Sequence, residues 1–438
     1  MSPYNYLRLI QLALPIILAN SAVPFLGLVD TAVIGQTGNA SDLGAIALAA
    51  LIFSFVYWGF GFLRMGTTGF IAQAVGANDH EEMHALVFRT LLLGLLIGIS
   101  LIVLQKPIEL IATHFLNASP AVNAGVREYF YIRIWGAPAT LITFSLLGTF
   151  IGLGWTTQLL WVQLLLNGLN MALNVLFVMG LDMGVKGIAL GTVLAEWTAL
   201  FFALFLLFSK MEITQPWQRA KALQLRIFNK ARLLALLQVN RDIMIRTLAL
   251  ISGFAWFAKQ GASFGDETLA ANHILLQFVS LSAFFLDGYA NVAEMRVGQA
   301  YGAKDRVRFQ REVTDTTVLA AVTALLLAIL VFFYADVFIT WLTQDISVQT
   351  TASDYKHLAA IYIFVSFAAF QLDGVFIGVT HTKAMRNSTL IALAVLIGLG
   401  TWWANQYQNT GLWWALITYV ITRAVVLGWY YPTIMRKA

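Results

Sequence analysis

The sequence has no cysteine and few charged residues, and both deficits limit what the protein can be. Without cysteine there is no structural disulfide, no thiolate catalysis and no cysteine-ligated metal, and the redox compartment stays undetermined. Only 11% of the 438 residues are charged. The mean hydropathy of +0.75 exceeds that of soluble domains of this size. The excess of apolar residues therefore indicates contact with lipid.

Two further absences exclude function classes. No glycine-rich phosphate-binding loop is present, so direct coupling to ATP has no support. The net charge of +5 is compatible with nucleic-acid binding, but the basic residues lie between apolar runs, as membrane topology requires. We expect no nucleic-acid partner.

Apolar segments of membrane-spanning length recur along the whole chain. A helix needs about 20 apolar residues to cross a bilayer. The predicted spans are residues 10–36, 43–75, 85–105, 122–151, 157–180, 184–208, 234–260, 268–297, 312–335, 350–380, 387–406 and 411–433. We therefore expect an all-α integral membrane protein with about twelve transmembrane helices.

The loops between these spans alternate in charge. Residues 209–232 and 298–311 are rich in Lys and Arg, whereas the loops near 37–42, 335–349 and 405–411 contain neither. Because basic loops stay in the cytoplasm, the pattern places both termini there and requires an even number of helices.

The chain contains an internal duplication. The segment Gln73–Asp79 (QAVGAND) returns as Gln299–Asp305 (QAYGAKD), and the triplet Phe-Ile-Gly at 150–152 returns at 376–378. Both repeats have the same separation of 226 residues. With six helices in each half, the repeat is parallel, and such lobes enclose a site that is exposed alternately to the two sides.

The predicted division is an N-lobe over 1–208, an inter-lobe linker over 209–232 and a C-lobe over 233–438. The linker is basic with interspersed apolar residues. Two interpretations stay open for it, a short helix on the cytoplasmic lipid surface or a solvated connection that enforces orientation.

One carboxylate, Asp30, lies in the apolar first helix after Pro15 and Pro24. An ionised Asp at the centre of a bilayer costs at least ~2.5–3.5 kcal/mol, so its presence favours a function over simple packing. The alternative is an Asp that hydrogen-bonds a neighbouring helix. The two prolines each remove a backbone hydrogen bond, which lets the helix bend near the carboxylate.

Polar stripes mark two other helices and a further carboxylate marks a third. Amide side chains recur at helical spacing on one face of the fifth span, at Gln163, Asn167, Asn170 and Asn174. Acids and an amide do the same on the eighth span, at Asp287, Asn291 and Glu294, and Asp373 lies in the tenth. Such faces line a cavity or bind neighbouring helices. A glycine follows both Asp287 and Asp373, which allows close approach of a ligand or of a packed backbone.

The segment His80–His84 fits the zinc-protease pattern H-E-x-x-H. It lies in a short charged break between spans, no third ligand follows on an apolar helix, and the other half has no counterpart at Arg306–Gln310. We expect a solvated cytoplasmic turn there and no metal.

Five segments together resemble the DinF-like branch of the multidrug and toxic compound extrusion (MATE) family. They are Leu26–Gly35, Val239–Ile243, Phe285–Gly288, Gly298–Ala303 and Leu372–Gly378. The resemblance covers essentially the whole chain and implies twelve helices in two six-helix bundles. It also implies cation-driven export of drug-like molecules from a prokaryotic cell, and it assigns Asp30 to an N-lobe proton site.

The resemblance also separates the two coupling ions. Proton-coupled relatives carry an Asn and, four residues later, an Asp on the fifth helix, which map to Asn170 and Asn174, so an amide replaces the acid. Asp373 matches an acid of the C-lobe cation site of sodium-coupled relatives. Their seventh-helix Glu has no counterpart in the corresponding Phe254–Phe257. Protons are therefore preferred over sodium.

These features predict a multi-pass inner-membrane antiporter, not an enzyme, that exports organic, mostly cationic amphipathic compounds in exchange for protons. The expected coupling residues are Asp30, Asn170, Asn174, Asp287, Glu294 and Asp373, and the expected cavity residues are Gln163, Asn167, Asn291 and Met171. The expected partners are small organic substrates and membrane lipid, with a monomeric chain and no cofactor besides the coupling ion. The alternatives are a sodium-coupled antiporter, a flippase for a lipid-linked precursor that would use Arg64 and Arg246, and a membrane metalloprotease.

Overall fold

The computed structural model describes residues 3–37, 40–116 and 119–437. Within those ranges the chain is helical apart from short turns. The backbone of Asp30 belongs to the first helix, but the side chains of residues 23–32, including those of Asp30 and Pro24, lie outside the described part.

Sixteen α-helices follow one another in the described ranges. They are α1 (Pro3–Thr37), α2 (Ala40–Gly59), α3 (Phe62–Gly76), α4 (His80–Val103), α5 (Gln105–Leu116), α6 (Pro120–Arg133), α7 (Ala137–Leu153), α8 (Thr156–Val175), α9 (Gly184–Lys210), α10 (Pro216–Ala222), α11 (Gln224–Ile227), α12 (Lys230–Ser263), α13 (Asp266–Gly302), α14 (Arg306–Leu342), α15 (Ile346–Gly378) and α16 (Thr382–Met435). A 3-10 turn (Ile134–Gly136) joins α6 to α7, and a π-helical turn (Leu176–Gly180) extends α8.

The helices of the described ranges provide twelve segments of sufficient length to cross a bilayer. Nine helical segments of the described chain are long and apolar enough to span a bilayer. One of them, α16, holds 54 residues and bends at Gln408, so it provides two crossings. With 35 and 34 residues, α1 and α12 exceed the ~20 residues that a crossing needs. The predicted all-α class is confirmed.

Several helices extend beyond the predicted apolar spans. The predicted span 312–335 is part of α14, which begins at Arg306 and ends at Leu342, and α5 lies in a region with no predicted span. A helix satisfies its own backbone groups, so it continues past the apolar segment into the polar interface. Hydropathy alone therefore underestimates its length.

The backbone repeats the duplication seen in the sequence. Non-helical residues with positive φ recur at the same separation of 226 positions, as the pairs Asn78 and Lys304, Gly154 and Thr380, and Asp182 and Gln408. The helices that follow the first pair of turns start alike, because Asp79 and Asp305 each accept a hydrogen bond from the third backbone N–H that follows. The two halves therefore share turns and helix starts, as well as a short sequence motif.

The chain folds into two compact units. The C-terminal unit comprises residues 1–17, 72–78 and 236–438, and the N-terminal unit comprises 18–71 and 79–235. These units differ from the predicted lobes in residues 1–17 and 72–78, which group with the C-terminal half. The linker groups with the N-terminal unit.

Within the C-terminal unit, the two copies of the repeated motif meet backbone to backbone. A Cβ atom on Gly76 would lie 1.9 Å from the carbonyl oxygen of Gln299, and one on Gly302 would lie 2.1 Å from that of Gln73. Each contact leaves no room for any side chain, so both motifs require glycine. Gln73 also donates from Nε2 to the carbonyl of Gly378 at 2.8 Å.

The linker forms α10 and α11, which pack against α4. The guanidinium of Arg89 on α4 donates to the backbone carbonyls of Arg226 and Ile227. Leu223 and Ile227 bury their side chains against Ala85. The linker is thus docked on the N-terminal unit, while Trp217, Leu225 and Phe228 keep their side chains exposed.

Candidate functional site

A buried ion pair lies inside the N-terminal unit. Arg133, at the end of α6, donates from both terminal nitrogens to the two oxygens of Glu196 on α9, at 2.6 and 2.5 Å. Both residues are less than a tenth exposed. Gly136 makes room for the pair, since a Cβ there would lie 2.1 Å from a Glu196 oxygen. The guanidinium also lies over the ring of Tyr57, 5.3 Å from its centroid.

A small cavity of about 40 Å³ adjoins this ion pair. Its wall includes Glu196, Gln163 of α8 and two hydroxyl side chains of α7, Thr140 and Thr143. One residue of the predicted amide stripe, Gln163, thus shares a cavity with the acid of the ion pair, Glu196, within the N-terminal unit. Phe144 and Leu166 complete it with apolar surface.

Two further amides of the stripe, on α8, form a hydrogen-bonded chain that reaches α9. Asn174 donates to Asn170 at 3.1 Å, and Asn170 donates to the hydroxyl of Thr192 at 2.8 Å. Gly191 admits Asn174, because a Cβ there would lie 2.3 Å from the amide oxygen. Asn167 is buried on the same helix, whereas Met171 is partly buried. These amides hold two helices together, as polar residues do inside membranes.

The C-terminal unit buries a different charge cluster. Arg246 of α12 and Arg423 of α16 both donate to the same oxygen of Asp373 on α15. All three side chains are less than a tenth exposed. The cluster holds two cations and one anion, so it carries an excess positive charge inside the helices. The guanidinium of Arg423 lies 6.0 Å from the ring centroid of Tyr419.

The acidic stripe of α13 is also placed in the C-terminal unit. Asn291 and Glu294 are buried, and Asp287 is partly buried. The glycines that follow the two acids serve packing, because a Cβ on Gly288 would meet the side chain of Ile17 and one on Gly374 would meet the carbonyl oxygen of Ala290. Both glycines therefore lie at close contacts with neighbouring helices.

The charged segment that resembles a zinc-protease motif has another explanation. His80–His84 forms the first turn of α4, and its side chains bind the linker. Glu81 and Glu82 form ion pairs with Arg226 and Arg232, and Arg219 donates to His84 at 3.2 Å. His80 and Glu81 are exposed, as expected for a solvated turn, but the basic linker folds back over part of the segment, which the sequence did not predict.

Sequence reasoning identified the buried Arg246, Glu294 and Asp373 but missed Arg133 and the choice of partners. Arg133 lies within the predicted span 122–151, and a cation at that depth is itself a signal. Its partner Glu196 lies 63 positions further on. No local pattern connects the two residues.

These observations define a multi-pass membrane protein of two duplicated halves, each with charged groups buried among its helices, which is the class of the two-lobe membrane transporters. The sequence signature of the MatE family matches residues 15–176 and 244–402. The chain belongs to this family, whose members are transporters and not enzymes. The resemblance seen in the sequence is confirmed.

Individual relatives cover nearly the whole chain. It is 35% identical over 420 residues to DNA damage-inducible protein F of Escherichia coli, spanning 95% of this chain and 90% of that protein. It is 24% identical over 437 residues to the multidrug resistance protein NorM of Vibrio cholerae, spanning 96% and 94%. A crystal structure of the MATE transporter VcmN of Vibrio cholerae in the bent form superposes with a TM-score of 0.87, at 19% identity and 98% and 97% coverage. That structural likeness concerns the fold alone.

Proposed function

We propose that this transporter exports organic, mostly cationic amphipathic compounds by alternating access, driven by protons that enter in exchange. Support for export comes from family membership and from the relative whose name is multidrug resistance protein. The relative from Escherichia coli supports a prokaryotic inner membrane, and the basic loops support cytoplasmic termini. The chain works as a monomer in contact with membrane lipid and needs no cofactor besides the coupling ion.

The partners of Asp373 favour protons over sodium, and this observation carries the proposed coupling. Asp373, the residue expected at a C-lobe sodium site, is already bound by the guanidinium groups of Arg246 and Arg423. A carboxylate that neutralises two arginines is a poor ligand for a further cation, because the cation would have to displace a buried partner or meet its repulsion. This arrangement favours a proton carrier elsewhere.

Asp30 is the proposed carrier in the N-terminal half. In the outward state a proton neutralises Asp30, which weakens the attraction for a cationic substrate and releases it outside. In the inward state the proton leaves, and the restored carboxylate attracts the next cation. Asn174 contributes an amide in a hydrogen-bonded chain and no second acid, so Asp30 acts there without a carboxylate neighbour on the fifth helix.

The repeated glycine motif fits one step of this cycle. The contacts of Gly76 with Gln299 and of Gly302 with Gln73 are too close to deform and must separate as a unit. We assign the contact between the two glycine motifs to the closed cytoplasmic end of the transporter in one of the two access states. Its opening would expose the site to the cytoplasm.

The test is dye transport by the purified chain in proteoliposomes under an imposed pH gradient. Asp30→Asn should lose proton-driven transport, because an amide cannot titrate. Asp354→Asn is the matched control, since Asp354 is an exposed acid at the surface of α15 and should transport like the parent. If Asp30→Asn transports as well as the parent, the proton role of Asp30 is wrong.

The same preparation tests the alternatives. Transport that needs a sodium gradient and ignores a pH gradient would replace the coupling ion. A flippase would move a fluorescent lipid-linked phosphate between leaflets and leave the dye in place. That alternative relied on Arg64 and Arg246, and Arg246 is bound to Asp373, so we do not favour it.

A further inference from the structure

A cavity within the C-terminal unit lies beside the turn between α13 and α14, and its lining includes none of the residues of the buried charge cluster. It measures about 570 Å³. Four arginines line it, Arg8 from α1, Arg296 from α13 and Arg308 and Arg311 from α14. We call this cavity the arginine pocket. Nothing in the proposed transport cycle uses it.

Acidic groups neutralise only part of this charge. Glu312 is buried and binds Arg296 through both oxygens, at 2.6 and 3.1 Å. Asp315, just behind the wall, lies 3.6 Å from Arg311 and also accepts a hydrogen bond from Asn5. Asp305 is a third acid, and its side chain caps α14. Four arginines face three acids, so one positive charge remains.

The remaining charge is accessible. Arg8 is exposed and forms no ion pair or hydrogen bond with any residue that the structure describes. The side chain of Arg311 is 55% exposed, and its distance of 3.6 Å to Asp315 leaves the guanidinium able to take a second partner. Guanidinium groups bind phosphate through two parallel hydrogen bonds, which suits a pocket with several of them.

Apolar surface next to the pocket favours one source of phosphate. Val307 lines the pocket with 79% of its surface exposed. Leu7, Ile10 and Leu14 of α1 are exposed at helical spacing and form an apolar strip that starts beside Arg8. In a bilayer, such a strip contacts acyl chains. The anionic headgroup of a lipid whose acyl chains lie along α1 is therefore positioned at the arginine pocket.

We propose that the arginine pocket binds the phosphodiester headgroup of an anionic phospholipid, with the acyl chains along the apolar strip of α1. Basic pockets between membrane helices bind headgroups in this way on the cytoplasmic side. If the loop 298–311 needed only positive charge, every basic residue in it would contribute equally to lipid binding.

The experiment measures lipid binding to the full-length chain in detergent by native mass spectrometry, with thermal unfolding as a second readout. The probes are phosphatidylglycerol, phosphatidylcholine and sodium phosphate. Phosphatidylglycerol should stay bound and raise the Tm. Phosphatidylcholine and sodium phosphate should do neither at equal concentration.

Matched variants separate the pocket from the overall charge. Arg8→Gln and Arg311→Gln should each weaken phosphatidylglycerol binding ~5-fold, the effect of one arginine at a membrane surface. Lys304→Gln and Arg306→Gln remove the same charge outside the pocket wall and should change binding less than ~2-fold. Since Arg8 has no described partner to lose, its variant should fold like the parent.

Three outcomes would overturn the proposal. Equal losses of phosphatidylglycerol binding in all four variants would show that binding depends on overall charge and not on the pocket. Equal binding of phosphatidylcholine would show that binding does not depend on the charge of the headgroup. Full stabilisation by sodium phosphate alone would make the pocket a site for a free anion.

Discussion

The two halves of this transporter share backbone turns but differ in how arginine and acid are combined in one buried charge cluster of each half. The N-terminal unit pairs one arginine with one acid, Arg133 with Glu196. The C-terminal unit places two arginines, Arg246 and Arg423, on the single acid Asp373. Glu196 and Arg423 lie within one residue of the same repeat position. Duplication therefore preserved the scaffold, while the charge inside it diverged.

This difference implies different tolerance to loss of a partner. In a one-to-one pair, removal of either member leaves a buried charge without its partner. In a two-to-one cluster, removal of the acid leaves two cations together, whereas removal of one arginine leaves a neutral pair. Stability measurements on the two halves can separate these cases.

The largest effect is expected for loss of an acid. Asp373→Asn leaves Arg246 and Arg423 buried beside each other, and the free energy of unfolding should fall by about 3–5 kcal/mol. Glu196→Gln should cost a similar amount, because it leaves Arg133 without its carboxylate. Unfolding of the purified variants in detergent measures both. The double variant Arg133→Met with Glu196→Leu is the control and should recover most of the loss, since no charge stays buried alone.

Loss of one arginine should separate the halves. Arg423→Gln removes one charge-assisted hydrogen bond but leaves Asp373 bound to Arg246, so it should cost only about 1.5–3 kcal/mol. Arg133→Gln leaves Glu196 alone and should cost about 3–5 kcal/mol. Equal losses for the two variants would show that the second arginine does not share the carboxylate as described.

Packing around the amide chain is specific to the N-terminal unit. Gly191→Ala places a Cβ 2.3 Å from the amide oxygen of Asn174 and should destabilise by about 1–3 kcal/mol. Gly168→Ala on α8 has open space around the new atom and should stabilise by about 0.5–1 kcal/mol through its helix propensity. Thermal unfolding of the two single variants decides this, and a neutral Gly191→Ala would mean that α8 and α9 are not held so closely.

The smallest expected effect concerns pH. His381, in the turn before α16, occupies the repeat position of Trp155. Burial, helped by Lys437 and Lys383, lowers the pKa of His381 below its ordinary value of 6.5. The unfolded chain then binds a proton at higher pH than the folded chain. The stability from neutral His381 is therefore complete above pH 6.5 and is lost as the pH falls from 6.5 towards the lowered pKa.

We expect the Tm of the parent to fall by about 1 °C more than that of His381→Phe between about pH 7.5 and about pH 5.5. Trp155→Phe, at the equivalent turn of the other half, should keep the pH dependence of the parent. If His381→Phe also keeps it, another group is responsible.

Hydropathy and the repeated motif were sufficient to predict the membrane-spanning segments and the duplication, but not α5 or the lengths of the helices. The equal spacing of Gly76 to Gly302 and of Gly152 to Gly378 identified the two halves. The same residues proved to be sites of close backbone contact. Such features are local or periodic, so they can be recognised from the sequence alone.

The sequence did not show which buried charged residues pair with one another. Asp373 could be recognised as a costly acid, but its neutralisation by Arg246 and Arg423 depends on how α12, α15 and α16 pack. The linker contacts of His80–His84 were not predicted for the same reason, because the partners lie more than 130 positions away. Asp30 has the strongest sequence argument, and its side chain lies outside the described part of the structure.

The most direct test of proton coupling is transport by the parent chain in proteoliposomes under one gradient at a time. We predict dye movement driven by a pH gradient in sodium-free buffer, with no gain from an added sodium gradient, because Asp373 is held by two arginines. Transport that requires sodium at equal pH on both sides, and that is lost in Asp373→Asn but kept in Asp30→Asn, would contradict proton coupling through Asp30.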